Sequence, residues 1–300
     1  MTTTRFLTTA EGRTDAQFNP ADWGQICLVA LIWGSSYLWI SIGVDSFAPM
    51  VVAMLRIAFG FAVLSFFPAA RTPIEPSDRR RLFLLALVWQ GIPLSLYPFA
   101  EQWISSSVAG MLNGALPVLI AALATVLLRR PPGRNQMIGM AIGIVGVVCI
   151  ALPTWRGGSR LALGVEFVLI ALCGYAVAAN ISVPLTQKYG ALPVQWSMQR
   201  ISLLYVTPFG LWGLRTSTFT WEAFGAVAVL GIFGTGFAFL LAARVFARVG
   251  ATRGASFNYL IPVVSIVLGV AVRGDHVAGL AIAGTGLVLV GALFCSRSGR

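Results

Sequence analysis

The sequence has few charged residues. Of its 300 residues, 10% are charged and 57% are hydrophobic, whereas a soluble globular protein has about 25% charged and about 45–50% apolar residues. A chain with so little polar side-chain surface cannot cover itself in water. The composition therefore excludes a soluble globular protein and predicts an all-α integral membrane protein.

Histidine, lysine and cysteine are also scarce. His276 is the only histidine and lies in a short loop beside Asp275, and Lys188 is the only lysine. The four cysteines lie in or at the ends of apolar runs and form no C-x-x-C motif. A single histidine cannot supply a zinc cluster or a nucleophile–base set. We therefore expect no metal site, no cofactor, no catalytic residues and no enzymatic activity.

Acidic residues are outnumbered, which gives a net charge of +11. Most basic residues lie between apolar runs, and no basic stripe alternates with aromatic residues as in a nucleic-acid site. We expect no nucleic-acid partner. The expected partners are the lipid bilayer and a small-molecule substrate, with a monomer as the functional unit.

Long apolar runs fill most of the chain. A helix needs about 20 mainly apolar residues to cross the hydrocarbon layer, and proline, glycine or charged residues mark most joints between the runs. The pattern predicts ten transmembrane helices. Their expected spans are 23–43, 48–68, 81–99, 103–128, 135–153, 161–184, 191–213, 222–243, 248–272 and 277–295.

The lysine and arginine residues of the predicted loops are unequally distributed between the two sides. With the N-terminus in the cytoplasm, fourteen of them fall inside and four outside, and positive residues favour the cytoplasmic side. We therefore expect both termini in the cytoplasm of a bacterial inner-membrane protein. The inside set is Arg5, Arg13, Arg71, Arg79, Arg80, Arg81, Arg129, Arg130, Arg134, Lys188, Arg244, Arg248, Arg297 and Arg300, and the outside set is Arg156, Arg160, Arg215 and Arg273.

The two halves of the chain resemble each other. Gly91, Asn113 and Pro117 match Gly236, Asn258 and Pro262 at a common offset of 145 residues, and Met54-Leu-Arg56 matches Met198-Gln-Arg200. Five spans is an odd number, so the second copy must enter the membrane in the opposite orientation. Inverted repeats are typical of carriers that bind substrate near the midplane, between the repeats. The expected domains are a flexible cytoplasmic tail (1–22), the first repeat (23–153), the inverted second repeat (161–295) and a cytoplasmic tail (296–300).

These features resemble the drug/metabolite transporter superfamily in its EamA-like branch. The resemblance covers about residues 23–295 and lies in Trp33-Gly34-Ser35-Ser36, Leu55-Arg56, Ser107-Val-Ala-Gly110 with Asn113 and Pro117, and the glycine-rich fifth and tenth spans. The length and aromatic content are similar to those of YddG-like amino-acid exporters. The resemblance implies export of amino acids, other metabolites or drugs from the cytoplasm.

Arg56 and Arg200 are the first candidate binding residues. Each lies eight or nine residues into an apolar run, where a charge costs at least about 2.5–3.5 kcal/mol on insertion scales. A substrate carboxylate or a gating contact would offset that cost. The alternative is an arginine that reaches the interface or bonds helix ends.

Asn113 and Asn258 each precede a proline by four residues. Proline has no N–H to donate to the carbonyl four residues earlier, so Pro117 and Pro262 are candidate hinges and the asparagines are candidate substrate ligands. The alternative for each asparagine is a hydrogen bond between helices.

Aromatic and polar residues in the middle of the spans provide further candidates. A pocket for amphipathic solutes needs apolar walls with a few polar groups, although packing or lipid contact is the alternative for each residue. The predicted substrate-binding set is Trp33, Ser36, Tyr37, Arg56, Trp89, Gln90, Asn113, Tyr175, Arg200, Asn258 and Tyr259.

Small residues of the fifth and tenth spans predict that these helices pack on each other. The predicted packing residues are Gly139, Gly143, Gly146, Gly279, Ala283 and Gly286.

No acidic residue lies at the centre of a span, where a proton carrier is expected. Glu101 comes nearest, at the start of the fourth span. The sequence therefore favours a carrier of apolar or aromatic amino acids that works by alternating access without proton coupling, and the resemblance implies that its direction is export. The alternatives are export of cationic drugs or of other metabolites, and a proton-coupled carrier.

Overall fold

A computed structural model describes residues 20–128 and 132–297 of the chain. Those residues form α-helices and short 3₁₀ and π segments, with no strand among them, which confirms the all-α prediction. Most of the predicted N-terminal tail, the loop residues Arg129 and Arg130, and residues 298–300 lie outside the described part. The first helix begins at Pro20, within the predicted tail.

The helices of the first half include two interrupted ones. A π segment, Leu87–Gly91, joins α3 to α4, and a turn at residues 114–115 separates α5 from α6. The helices are α1 (Pro20–Val44), α2 (Pro49–Ser65), α3 (Arg79–Ala86), α4 (Ile92–Ala100), α5 (Ser106–Asn113), α6 (Leu116–Leu128) and α7 (Arg134–Trp155).

The second half has interruptions at corresponding places. A π segment, Leu230–Phe237, joins α10 to α11, and a 3₁₀ segment, Ala255–Tyr259, leads from α12 towards α13. The helices are α8 (Ser159–Tyr189), α9 (Ala191–Gly213), α10 (Trp221–Val229), α11 (Ala238–Val249), α12 (Ala251–Gly254), α13 (Ile261–Arg273) and α14 (Gly279–Arg297).

The helical stretches are long and apolar enough for a multi-pass membrane protein. Within the described residues, seven stretches meet both conditions, and two shorter apolar helices, Pro49–Ser65 and Gly279–Cys295, accompany them. The remaining predicted span falls on α9, which carries Gln195, Gln199 and Arg200. The described residues therefore confirm a multi-pass helical protein, and the number of ten spans stays a prediction. The seven long stretches are Trp23–Val44, Pro76–Ala100, Ser106–Leu127, Arg134–Trp155, Ser159–Tyr189, Trp221–Val249 and Ala255–Arg273.

A single glycine separates α8 from α9, and another separates α11 from α12. Gly190 ends α8 with φ 84° and Gly250 ends α11 with φ 82°, a backbone conformation that glycine adopts at little cost. The eighth predicted span was expected to end near Arg244. Instead, the helix continues to Val249 because Arg244 and Arg248 are compatible with a helix, whereas Gly250 ends it.

The glycine-rich helices α7 and α14 pack closely, as expected. A methyl group placed at Gly146 would lie 2.7 Å from the Gly284 carbonyl oxygen, and one at Gly139 would lie 2.5 Å from that of Gly291. A methyl group at Gly143 would lie 2.8 Å from Val118 of α6, and one at Gly291 would lie 2.7 Å from the backbone nitrogen of Gly143.

The predicted packing residues of α14 are on the wrong face of that helix. Gly279 and Gly286 have open space around them, and Ala283 is exposed. The contact face consists instead of Gly284, Val288 and Gly291. The reason is the helical period, because residues 284, 288 and 291 lie on one face and residues 279 and 286 on another.

The interior is formed by helices from both halves. Helix α1 packs on α13, α10 and α11, helix α2 packs on α9 and on the π segment Leu230–Phe237, and α4 packs on α8. Helices α5 and α13 cross each other as well. This arrangement places side chains of both halves around one central cavity.

Candidate functional site

A central cavity of about 50 Å³ lies among α1, α2, α4, α5, α6, α8, α11 and α13. Eight of the predicted substrate-binding residues line it. The complete lining is Trp33, Ser36, Tyr37, Ile40, Arg56, Trp89, Tyr97, Asn113, Leu116, Tyr175, Ala179, Phe239, Phe246, Phe257, Asn258 and Ile261.

One part of the cavity is a box of aromatic rings. The ring of Trp33 lies edge-on to Phe239 and Phe257, with centroids 5.0 and 5.2 Å apart. Trp89 contacts Phe239 at 5.6 Å and Phe246 at 6.1 Å. The Trp33 indole donates its N–H to the carbonyl of Gly234 at 2.9 Å, so burial of this ring leaves no unpaired donor. We call these five residues the aromatic box.

Arg56 supplies the positive charge of the cavity. Its side chain is buried, and its Nε donates a hydrogen bond to Thr235 Oγ1 at 3.1 Å. Gln199 Nε2 donates to the Thr235 carbonyl at 2.7 Å, which fixes the residue that holds the arginine. Among the described residues, no carboxylate forms an ion pair with Arg56. The guanidinium can therefore bind an anionic group in the cavity.

Three tyrosines lie near Arg56. The rings of Tyr37 and Tyr97 are 5.6 Å apart, and Tyr97 stacks on Tyr175 at 6.1 Å. Each ring offers an apolar face and one hydroxyl group. Together with Arg56, these tyrosines form the polar end of the cavity.

A chain of hydrogen bonds crosses the cavity between the two halves. The Tyr97 hydroxyl donates to Asn113 Oδ1 at 3.1 Å, and Asn113 Nδ2 donates to Asn258 Oδ1 at 3.1 Å. Asn258 Nδ2 then donates to the Ala255 carbonyl at 3.0 Å. Asn113 and Asn258, the two asparagines predicted from the repeat, are therefore hydrogen-bonded to each other. Both also line the cavity, so a cavity position and an interhelical hydrogen bond occur together.

The structure places Gln90, Arg200 and Tyr259 outside the cavity. Gln90 is fully buried and donates to Gln195 Oε1 at 3.2 Å, and the Tyr259 hydroxyl donates to the Ala292 carbonyl at 3.0 Å. Arg200 is exposed, with its guanidinium 5.2 Å from the ring centre of Trp196. The partners of Gln90 and Tyr259 lie outside the cavity lining, and α9, which carries Arg200, contributes no lining residue.

Ser36 lines the cavity, but its hydroxyl is occupied. It donates to the Ile32 carbonyl one turn earlier at 2.9 Å. The oxygen keeps its capacity to accept a hydrogen bond, so Ser36 contributes an acceptor to the cavity.

Pro117 and Pro262 lie at the starts of helices. Pro117 is the second residue of α6 and Pro262 the second of α13, where a missing N–H costs nothing. The chain leaves α-helical geometry before each proline, at residues 114–115 and along Ala255–Tyr259. The predicted hinges therefore coincide with breaks next to Asn113 and Asn258.

Several lining residues were missed from the sequence. Phe239 and Phe246 are seven residues apart and Trp89 and Tyr97 eight apart, which places each pair on one helix face. That spacing was a usable signal. For Phe257 the only signal in the sequence was its position before Asn258. Thr235 does not line the cavity but bonds Arg56, and its only signal was its position before Gly236.

Polar contacts join three helices at one end of the cavity. Arg273 binds Asp45 with two hydrogen bonds, at 2.7 and 3.0 Å. Asp275 accepts from the Ser106 hydroxyl at 2.9 Å, and from the Ser107 N–H and hydroxyl at 2.9 and 2.7 Å. These contacts tie the ends of α1, α5 and α13 together, and we call them the Asp275 cluster.

Glu101, the acid that comes nearest to the centre of a predicted span, is buried. It lies in the turn after α4, one helical turn beyond Tyr97, and 8% of the residue is exposed. Neither of its carboxyl oxygens has a hydrogen-bond partner among the described residues. Burial without a donor favours the neutral, protonated acid. A group of this kind can bind and release a proton.

A protein-family model matches the chain twice. The model is described as the EamA-like transporter family, and it matches residues 24–152 and residues 162–297. The bounds of the matched regions lie close to those of the two repeats predicted from the sequence, and the regions include every residue of the cavity lining.

Relatives are similar along nearly their full length. An uncharacterized transporter of Archaeoglobus fulgidus is 24% identical over 90% of this chain and 96% of its own. The uncharacterized inner membrane transporter YedA of Escherichia coli K12 is 22% identical over 89% of this chain and 87% of its own. A protein of known crystal structure, 17% identical, has a TM-score of 0.64 over 93% of this chain and 98% of its own. That likeness shows a shared fold.

Proposed function

Since this chain belongs to the EamA-like transporter family, a family of membrane transporters and not of enzymes, we propose that it is a carrier for small amphipathic metabolites. The preferred substrates are apolar and aromatic amino acids. The carrier exports them from the cytoplasm across a bacterial inner membrane and works as a monomer. Both of its termini are cytoplasmic.

Two inverted repeats of five spans form the proposed carrier. The double match to one family model supports this arrangement. So do the paired interruptions, because the π segments end at Gly91 and Phe237, next to the matched Gly91 and Gly236, and the breaks after α5 and before α13 adjoin the matched asparagines. The hydrogen bond between Asn113 and Asn258 joins equivalent residues of the two repeats.

The observation that carries the substrate proposal is the division of the cavity into a charged end and an aromatic end. A substrate carboxylate binds Arg56, since a charge-assisted hydrogen bond contributes about 1.5–3 kcal/mol. The tyrosine hydroxyls and asparagine oxygens accept hydrogen bonds from the ammonium group. The apolar side chain then lies in the aromatic box, where its burial contributes about 25 cal/mol per Å² of apolar surface.

Transport requires the cavity to open to each side in turn. In this proposal the Asp275 cluster is the external gate, because it ties α1, α5 and α13 at the end predicted to face outside. The breaks before Pro117 and Pro262 let the outer and inner parts of these helices move separately. Each asparagine lies at such a break, so substrate contact and helix movement are coupled.

A cationic drug or another metabolite is the alternative substrate. The aromatic faces would attract a cation, but the buried Arg56 would repel it. Arg56 is the only basic residue among the described lining residues. One positive charge is too little to bind a diphosphate. These features favour the amino acid.

A proton-coupled carrier is a second candidate function, favoured by Glu101. Its buried and unpartnered carboxyl lies between the cavity and the Asp275 cluster along the chain. Arg56, Arg273 and Asp275 are the charged groups that act on it. The sequence favoured an uncoupled carrier, and the burial of Glu101 argues for coupling.

Flux into proteoliposomes tests both candidates. A panel of labelled amino acids and a cationic dye are supplied with and without an imposed pH gradient, and empty liposomes serve as the control. We expect phenylalanine, tryptophan and leucine to move, and the dye to remain outside. Transport of the dye without any amino acid would contradict the substrate proposal. A pH-dependent flux that Glu101→Gln abolishes would establish coupling, and an unchanged flux would establish the uncoupled carrier.

A further inference from the structure

A groove lined by four arginines shares no lining residue with the cavity. Arg71, Arg79, Arg80 and Arg200 line it, and its volume is about 920 Å³. The arginines come from the loop after α2, from α3 and from α9. Three separate elements thus direct positive charge into one depression of the surface.

The arginines of the groove lack acidic partners. No acidic residue lines the groove, and among the described residues none of the four forms an ion pair. The acids on the same loop are engaged elsewhere, since Glu75 and Asp78 bind Lys188 at 2.7 and 2.9 Å. The groove therefore carries a concentrated and uncompensated positive charge.

Arg200 lies well inside the apolar length of α9. It is nine residues beyond the helix start at Ala191, which at about 1.5 Å per residue is about 13 Å along the helix axis. Its guanidinium rests on Trp196, whose Nε1 donates to Ser65 Oγ at 2.8 Å. A charge at this depth is costly in hydrocarbon, and contact with an anionic group would offset that cost.

The surface beside the arginines is apolar and exposed. Phe83 is 54% exposed, and Leu204, one turn beyond Arg200 on α9, is 74% exposed. Hydrocarbon chains can lie along these side chains while an anionic group contacts the arginines. A free phosphate would use only the charged part of this surface.

We propose that this groove binds the phosphate headgroup of an anionic phospholipid, with Arg200 as the deepest contact. Basic pockets between helices on the cytoplasmic side suit such headgroups, and each arginine near the membrane surface strengthens binding about fivefold. The site is separate from the substrate cavity, and its assignment is independent of the substrate.

Lipid binding to the purified full-length protein tests the proposal. The probes are dioleoyl phosphatidylglycerol, zwitterionic dioleoyl phosphatidylcholine and water-soluble glycerol 3-phosphate, and native mass spectrometry in neutral detergent measures retention. We expect phosphatidylglycerol to be retained over phosphatidylcholine. Arg200→Gln should lower its affinity about fivefold, and Arg79→Gln combined with Arg80→Gln should lower it further.

Arg215→Gln is the matched control, because Arg215 also lies on a tryptophan, Trp212, at 4.3 Å but at the other end of α9. Arg200→Lys, which keeps the charge, should retain most of the binding even if Arg200→Gln folds poorly. Equal loss in Arg215→Gln, or no loss in any groove variant, would overturn the site. Displacement of phosphatidylglycerol by an equal concentration of glycerol 3-phosphate would overturn its assignment to a lipid.

Discussion

Arg56 and Arg200 occupy matching places in the two predicted repeats but have different surroundings. Arg56 is buried and bonded to Thr235, whereas Arg200 is exposed over Trp196. The position of a residue in the sequence indicates how far along its span it lies, and both arginines lie eight or nine residues into an apolar run. It does not indicate which helix face turns inwards, because that depends on the neighbouring helices. For this reason Arg56 could be placed in the cavity and Arg200 could not be excluded from it.

Replacement of Arg56 tests the carboxylate contact. We expect Arg56→Gln to lower the flux of amino acids at least about tenfold, since loss of a charged hydrogen bond costs about 1.5–3 kcal/mol. Arg56→Lys should recover part of the flux. The measurement is uptake into proteoliposomes with Arg215→Gln as the control. Undiminished transport by Arg56→Gln would contradict the proposal that the substrate carboxylate binds Arg56.

The asparagine pair tests the contact between the halves. Asn113→Ala leaves both Tyr97 and Asn258 without their partner, and interhelical hydrogen bonds in membranes contribute about 0.6 kcal/mol on average. A double-mutant cycle with Asn258→Ala, measured by unfolding in detergent, should give a coupling energy of about that size or larger. Strictly additive effects would indicate that the two side chains act independently.

At the scale of elements, the sequence predicted that α7 and α14 pack on each other, but it chose the wrong glycines in α14. Glycine is spread around that helix, so the sequence alone does not distinguish the contact face. The π segments were not predicted, because they depend on how α4 and α11 pack. The breaks near Pro117 and Pro262 were predictable because proline removes a backbone donor.

Single methyl groups test the packing of α7 on α14. Gly146→Ala should lower the free energy of unfolding by about 1–3 kcal/mol, because the methyl would meet the Gly284 backbone, which cannot move aside. Gly286→Ala is the matched control, with open space around it. Titration with a denaturing detergent gives both values. Equal effects of the two variants would show that the close contact does not contribute to stability.

The Asp275 cluster tests the external gate. Asp275→Ala removes three hydrogen bonds to Ser106 and Ser107, so we expect the outer ends of α5 and α13 to separate more often. A single cysteine at Ile40, which lines the cavity, should then react several-fold faster with an impermeant maleimide added outside. The exposed acid Glu222 provides the control variant, Glu222→Ala. An unchanged rate would place the gate elsewhere.

For the molecule as a whole, composition and periodicity were enough to predict a multi-pass helical membrane protein. The family followed from residues distributed over both repeats, and the double match of the family model confirms it. Much of the aromatic box escaped prediction, since it forms only when rings from α1, α11 and the 3₁₀ segment before α13 meet. The substrate proposal therefore depends on the fold more than on any motif.

The orientation of the repeats is the central claim, and labelling of equivalent loops from each side tests it most directly. In a cysteine-free background, Ser77→Cys marks the loop after α2 and Thr216→Cys the loop after α9, and both positions are exposed. In intact cells an impermeant maleimide should label position 216 from outside, and position 77 only after the membrane is opened. Labelling of both positions from the same side would contradict the inverted repeat.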